Sequence, residues 1–162
     1  MNDLSSLTGI DPGLLEVEDL SEQFHLLSGK IVEKCAEAET HVVALLRAQA
    51  SNTGISPKAP LACKMKALRA ASEQREPTKQ ESKLLSLLND LEPLADLRTE
   101  IAHSVQSWGW LDGRSTVVLK NAADQHSRVD RRVVIALDEL KDAHRELSSL
   151  ANQFSQLVAT YK

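Results

Sequence analysis

The sequence predicts an all-α protein, a four-helix bundle with a short β-hairpin between its third and fourth long helices. Three observations lead to this prediction. Hydrophobic residues make up 42% of the chain but aromatic residues only 3%, and its abundant Leu, Ala, Glu and Lys favour helices over strands. Over long stretches, hydrophobic residues recur at spacings of three and four. One short stretch, residues 107–120, carries a hairpin signal instead.

The first two helices are marked by their hydrophobic stripes and by the residues that end them. The first should run over about residues 17–49. The polar residues 51–54 and then Pro57 end it, and a shorter second helix ends near Pro77. The first stripe consists of Leu20, Phe24, Leu27, Ile31, Cys35, Ala38, Val42 and Leu45, and the second of Leu61, Met65 and Leu68.

The third and fourth helices follow from similar stripes. The third stripe runs from Leu84 to Val105, and Pro93 within it predicts a kink or a broken turn near residues 89–93. From about residue 130 a further stripe predicts the fourth helix, which continues to the C-terminus. This last stripe consists of Val133, Ala136, Leu140, Ala143, Leu147, Leu150, Phe154, Leu157 and Tyr161. The whole chain should form one domain, with residues 1–15 as a loose N-terminal segment.

The predicted hairpin centres on Asp112 and Gly113, which lie between two short β-prone runs. This dipeptide favours a tight two-residue turn. Because an isolated hairpin is marginal in water, we expect Trp108 or Trp110 to pin it against the helices.

Composition also indicates a cytosolic protein with no membrane segment. No stretch approaches the roughly 20 hydrophobic residues that a membrane span needs, and Asp3 and Asp11 occupy an N-terminus without the basic region of a signal peptide. Cys35 and Cys63 both lie in hydrophobic helical patterns. We therefore expect two buried, reduced thiols rather than a disulfide or half of a zinc site.

The net charge of −4 is distributed unevenly. Residues 58–83 carry seven basic and three acidic side chains. Such a segment is either a solvated helix face or a stripe that faces phosphates, and in the second case Lys64, Lys66 and Arg69 would contact RNA.

The candidate chemistry lies at the end of the third helix, in the segment Leu-Arg-Thr-Glu-Ile-Ala-His-Ser at residues 97–104. Arg98 is at the edge of the hydrophobic stripe, and a partly buried guanidinium needs an anionic partner. His103 lies where the helix gives way to the hairpin, so that its ring can face a cleft. On a straight helix the two side chains point roughly 140° apart. A second copy related by a twofold axis would bring two arginines and two histidines into one cleft.

Two acidic residues near this pair leave an alternative open. Asp96 and Glu100 lie one turn apart on the His103 side, where either would orient the imidazole. Alternatively, Arg98 pairs with Asp96, Glu100 or a neighbouring acid, and His103 only caps the helix C-terminus.

The segment resembles the Arg-x4–6-His motif of the HEPN (higher eukaryote and prokaryote nucleotide-binding) domain family. The long first helix with Gly-Lys-Ile-Val at 29–32 and the Lys-x-Lys-x-Leu pattern at 64–68 fit the same family, although Thr99 stands where members often carry Asn or Asp. The resemblance implies a helical homodimer that acts as a metal-independent endoribonuclease in toxin–antitoxin or antiphage systems, without a cofactor. It also implies RNA as substrate and a neutralising protein as partner. The catalytic pair would be Arg98 and His103, and the supporting residues Asp96, Thr99, Glu100 and Ser104.

These residue types suit RNA cleavage without a metal. A histidine side chain ordinarily titrates near neutral pH, so His103 would remove the proton of the 2′-hydroxyl or protonate the leaving oxygen. The guanidinium of Arg98 would hold the phosphate oxygens while negative charge develops.

Two other functions remain open from the sequence. The first is a noncatalytic dimeric module that binds a protein, a nucleotide or RNA with the same scaffold. The second is phosphotransfer through His25, because Phe-His-Leu-Leu-Ser-Gly-Lys at 24–30 partly matches the His-x-Leu-Lys-Gly segment of histidine phosphotransfer bundles. We expect no metal site, because His41, His126 and His144 lack ligand spacing.

Overall fold

The computed structural model describes residues 12–49, 54–56, 58–76, 78–121 and 132–161. Most of these residues are helical, and a small antiparallel sheet lies between the third and fourth helices in the sequence. The elements in chain order are α1 (Pro12–Gln49), α2 (Leu61–Glu73), α3 (Lys79–His103), β1 (Ser104–Leu111), β2 (Arg114–Asn121), β3 (Arg132–Ala136) and α4 (Leu137–Thr160). The mostly helical architecture is thus confirmed. Of the predicted loose segment, residues 1–11 lie outside the described part, and residues 12–15 belong to α1.

The four helices share one hydrophobic core with the inner face of the sheet. α1 packs mainly against α4, and α2 packs against both α1 and α3. The predicted stripe of α1 is buried, since Phe24, Ile31, Cys35, Ala38, Val42 and Leu45 all belong to the core. None of the helices described combines the length and the hydrophobicity that would be needed to cross a membrane.

The hairpin forms where the sequence predicts it, with a two-residue turn between Leu111 and Arg114. Asp112 and Gly113 both have positive φ angles, of 51° and 73°, which defines a type I′ turn. Trp108 is the residue that pins the sheet, because its ring meets the Phe24 ring edge-on at 4.9 Å between centroids. Trp110 is 58% exposed near the tip.

The third strand of the sheet corrects the prediction of an isolated hairpin followed by a helix from about residue 130. Residues 132–136 form β3, which pairs with β2 in antiparallel register, with Ile135 opposite Val117. Val133 and Ala136 were expected in the fourth helix because the successive spacings from Val133 to Ala136 and from Ala136 to Leu140 are three and four residues, as in a helical stripe. The run Val-Val-Ile is β-branched, and burying it against β2 outweighs the helical spacing.

Two smaller expectations also need correction. α3 is continuous through Pro93, so of the predicted kink or broken turn the broken turn does not occur. Pro93 is exposed, as is Asn89 four residues before it. Water can therefore donate the hydrogen bond to the Asn89 carbonyl that the proline nitrogen cannot donate. Cys63 is exposed rather than buried, because it lies two residues, or about 200°, from Leu61 on the inner side of α2. Both cysteines are free thiols.

A buried carboxylate joins the four helices at the end of the molecule away from the sheet. Glu81 of α3 is 5% exposed. Its carboxylate accepts hydrogen bonds from the Ser72 hydroxyl and the Tyr161 hydroxyl, and from the Gln49 amide at 3.1 Å. The Arg75 guanidinium lies 3.7 Å away. Burial, reinforced by the hydrogen bond with Glu81, raises the pKa of Tyr161.

Candidate functional site

Arg98 lines a groove of about 340 Å³ formed by α1, α3 and the segment that leads into α2. The groove floor is hydrophobic and includes the side chain of Cys35, while its rim carries charged residues. Its lining residues are Val32, Cys35, Ala36, Glu39, Lys58, Ala59, Pro60, Leu61, Ala62, Ala95, Asp96, Arg98 and Thr99. A surface of this kind can hold an anionic group against Arg98 and a flat, apolar group against the floor.

The guanidinium of Arg98 has no partner in the described part of the chain. The side chain is half-buried, and neither a hydrogen bond nor an ion pair to it occurs among the residues described. Its charge acts on the Cys35 thiol: burial raises the pKa of this thiol to about 11, and Arg98 opposes that rise. A partly desolvated cation without a counterion favours the binding of an anion.

His103 is the last residue of α3, and its side chain is exposed. It does not line the Arg98 groove. Thr99, one turn before His103, does line that groove, and residues four apart are neighbours on a helix surface. The groove therefore reaches to within one helical turn of the imidazole, although the two side chains do not face each other within one chain.

The supporting residues that the motif suggests have different surroundings. Asp96 is exposed at the rim of the Arg98 groove, and Glu100 is half-buried. Within the described ranges, neither forms a hydrogen bond with His103 or an ion pair with Arg98. The Thr99 hydroxyl donates to the Ala95 carbonyl at 3.0 Å, one turn back in α3. The Ser104 hydroxyl oxygen is buried and has no hydrogen-bond partner among described residues.

The three basic residues singled out in α2 differ in accessibility. Lys64 is buried, and its ammonium pairs with the Glu39 carboxylate at 2.5 Å. Arg69 is bound to Glu92 at 3.1 Å. Lys66 is exposed. Of the three, Lys66 is thus the one whose charge faces solvent without a paired acid in this part of the structure.

A second groove, of about 520 Å³, runs between α2 and α3 and adjoins the first. The two share Ala62, Ala95 and Asp96. Lys66 and Arg69 line the second groove together with Glu73, Glu92 and the shared Asp96, so acidic side chains outnumber basic ones there. The Arg98 groove is more favourable for an anion, because its Glu39 is already neutralised by Lys64.

The remaining histidines lie apart from this surface. His25 is exposed on α1, and its ring lies 5.6 Å from that of Trp108. His41 and His144 are half-buried on α1 and α4, and His126 lies outside the described residues. Among the residues described, no three His, Cys, Asp or Glu side chains are arranged to hold a metal ion.

Three ionisable residues of the groove, Cys35, Glu39 and Lys58, were not indicated by the sequence as parts of the site. Lys58 precedes α2, and Cys35 was interpreted as a core residue, which it also is. These residues come close to Arg98 only because α1, α3 and the segment before α2 pack together. No local sequence pattern indicates that proximity.

Comparisons with protein-family models, with curated proteins and with solved structures give no match. The likeness to HEPN domains therefore rests on the segment around Arg98 and His103 and on its helical context.

Proposed function

We propose that this protein is a HEPN-like, metal-independent endoribonuclease in which Arg98 binds the scissile phosphate and His103 transfers the proton. The observation that supports this most strongly is the half-buried Arg98 guanidinium, which lines an open groove without a counterion in the described part of the chain. An arginine fixed by packing on one side and open on the other suits a phosphate.

The proposed reaction is an internal transfer at one phosphate. The 2′-oxygen of the RNA attacks the neighbouring phosphorus and loses its proton to a histidine, and the bond from phosphorus to the 5′-oxygen breaks. The leaving 5′-oxygen takes up a proton, which gives a 2′,3′-cyclic phosphate and a 5′-hydroxyl end. Arg98 would stabilise the additional negative charge on the phosphate as the new bond forms.

The position of His103 supports a role in proton transfer. Its ring is exposed and, among the described residues, has no hydrogen-bond partner that would restrict it. It lies one turn beyond Thr99 on the groove rim, so an RNA strand that leaves the groove along α3 would pass it. The separation of His103 from Arg98 within one chain would be spanned by the bound RNA strand, whose scissile phosphate would lie between the two side chains.

The test is incubation of the purified protein with end-labelled RNA in excess chelator. Wild type should cleave the RNA and leave 2′,3′-cyclic phosphate ends. Both His103→Ala and Arg98→Ala should lower the rate by at least about 100-fold. Arg98→Lys should recover little, because a lysine cannot hold two phosphate oxygens in a fork.

The matched controls are His41→Ala and Arg47→Ala, which remove a histidine and an exposed arginine from α1. Both should cleave at the wild-type rate. Intact RNA with the wild-type protein, or equal cleavage by the Arg98 and His103 variants, would contradict the proposal. RNA that binds but is not cleaved would instead support the noncatalytic module.

A further inference from the structure

Within the described part of the chain β1 forms one edge of the sheet, called here the free edge, and this edge lacks the features that usually prevent strands from pairing. Of the described strands, only β2 pairs with β1, in the order β1-β2-β3. β1 has eight residues, Ser-Val-Gln-Ser-Trp-Gly-Trp-Leu, with no charged residue and no proline. Natural sheets commonly protect an edge with a short strand or with charges. The opposite edge, β3, has five residues and begins with Arg132.

The turn determines which backbone groups of β1 point to this edge. In a two-residue type I′ hairpin, the residues that flank the turn, here Leu111 and Arg114, exchange hydrogen bonds. Along an antiparallel pair the bonded positions then alternate. The odd-numbered residues of β1 are therefore bonded to β2. The N–H and C=O groups that point away from β2 belong to Ser104, Gln106, Trp108 and Trp110.

We propose that β1 pairs with β1 of a second copy of this chain in antiparallel orientation, about a twofold axis at Ser107. In this register Gln106 lies opposite Trp108 of the second copy, and Ser104 opposite Trp110. All four outward-facing residues thus find partners on both chains. The two small sheets would join into one six-stranded sheet.

Two properties of the strand ends favour a second copy as the occupant. Trp110 and Leu111 are 58% and 53% exposed at the hairpin tip, and the pairing places them beside Ser104 and His103 of the other chain, which covers apolar surface. The turn residue Asp112 follows Leu111 and would come next to His103 of the other chain. A carboxylate thus meets a histidine at each end of the paired strands, so the edge is complementary to itself.

The proposed pairing also has a consequence for the candidate site. α3 ends at His103 and β1 starts at Ser104, so each His103 would lie at the border between two chains, beside the hairpin tip of the second copy and away from that copy's Arg98 and His103. The second copy would contribute Asp112 as a positioning residue for the imidazole. This role of Asp112 rests on the proposed function, whereas the interface itself does not.

The first test is a disulfide crosslink at the twofold axis. Ser107 would face its own copy as a non-hydrogen-bonded pair, where Cα atoms lie close enough for a disulfide. In a Cys63→Ser background, Ser107→Cys should form a disulfide-linked dimer under mild oxidation. Ser155→Cys, an exposed serine on α4, is the control and should stay monomeric on a nonreducing gel. Equal crosslinking of the two variants would overturn the proposal.

The second test measures association without a crosslink. Gln106→Pro removes an N–H that points to the free edge, so it should leave the β1–β2 pairing intact. It should raise the dimer dissociation constant at least about tenfold in analytical ultracentrifugation, because both symmetry-related hydrogen bonds are lost. A far-UV circular dichroism spectrum that equals that of wild type shows that the variant is folded. A wild-type monomer at all concentrations would overturn the proposal.

The contribution of Asp112 is tested by a double-mutant cycle between chains. Asp112→Asn retains a residue that tolerates the left-handed turn conformation, and should weaken the dimer about threefold. In a His103→Ala background the same change should have no effect on the dissociation constant. A dimer linked through Ser107→Cys that leaves RNA intact would support the interface and contradict the endoribonuclease function. RNA cleavage by a monomer would support that function and contradict the interface.

Discussion

The buried Glu81 carboxylate gives the most direct prediction about what stabilises the fold. Replacing Glu81 by alanine would leave the Gln49 amide and the Ser72 and Tyr161 hydroxyls without their shared acceptor. Hydrogen bonds to a charged group contribute about 1.5–3 kcal/mol each. Because the freed donors regain some water, we expect the free energy of unfolding to fall by about 3–5 kcal/mol.

The conservative replacement should be less harmful. Glu81→Gln keeps one acceptor oxygen and the side-chain volume, but it points an NH₂ group at neighbouring donors. We expect a loss of about 1–3 kcal/mol. Glu92→Ala is the control in the same helix, since Glu92 is 58% exposed and pairs with Arg69. That change should cost no more than about 1 kcal/mol.

Urea denaturation followed by far-UV circular dichroism measures all three variants. The midpoint should decrease in the order Glu92→Ala, Glu81→Gln, Glu81→Ala, with an unchanged slope against urea concentration. The melting temperature of Glu81→Ala should be about 10 °C below that of wild type. A Glu81→Ala protein within about 1 kcal/mol of wild type would refute the assignment of this carboxylate as the link between the four helices.

Three further predictions follow from individual side chains. The pKa of Tyr161 is raised by burial and by Glu81, so the folded state holds this proton more tightly. The contribution of this proton to the free energy of unfolding should be complete below the ordinary tyrosine pKa near 10, and it should be lost as pH rises through the raised value. In urea titrations at different pH, Tyr161→Phe should abolish this pH dependence. Cys63 should react with a thiol reagent at least about 100-fold faster than Cys35, whose pKa burial raises to about 11; equal rates would be inconsistent with the packing. Trp108→Ala should cost about 2–3 kcal/mol, whereas Trp110→Ala at low protein concentration should change stability by less than about 0.5 kcal/mol.

The sequence predicted those parts of the fold whose signals are local. The stripe of α1 is periodic over its whole length, and the Asp112-Gly113 turn requires residues that tolerate positive φ. β3 was missed because Val133 and Ala136 have helical spacing, although Val133 and Ile135 also alternate as in a strand. Its pairing with β2 is a contact between distant segments, which a local pattern does not encode.

In the candidate site, too, the sequence predicted the residues that a local signal marks and missed those that only tertiary packing brings together. Arg98 was recognisable because a charged residue interrupts a hydrophobic stripe, and His103 because it ends the helix. The ion pair of Lys64 with Glu39 joins residues 25 positions apart, so the basic segment for which the sequence left an RNA-facing stripe open contains a neutralised, buried lysine. The groove around Arg98 depends on Lys58 and Cys35, which only the assembled helices bring together.

The measurement that tests the central claim most directly is the RNA cleavage rate of Arg98→Ala, His103→Ala and the double variant in excess chelator. If the two side chains act on one phosphate, the double variant should cleave no more than about threefold more slowly than the slower single variant, because residues that act as a unit are not additive. Losses that multiply would mean that Arg98 and His103 act independently, and a wild-type protein that leaves RNA intact would contradict the proposed function altogether.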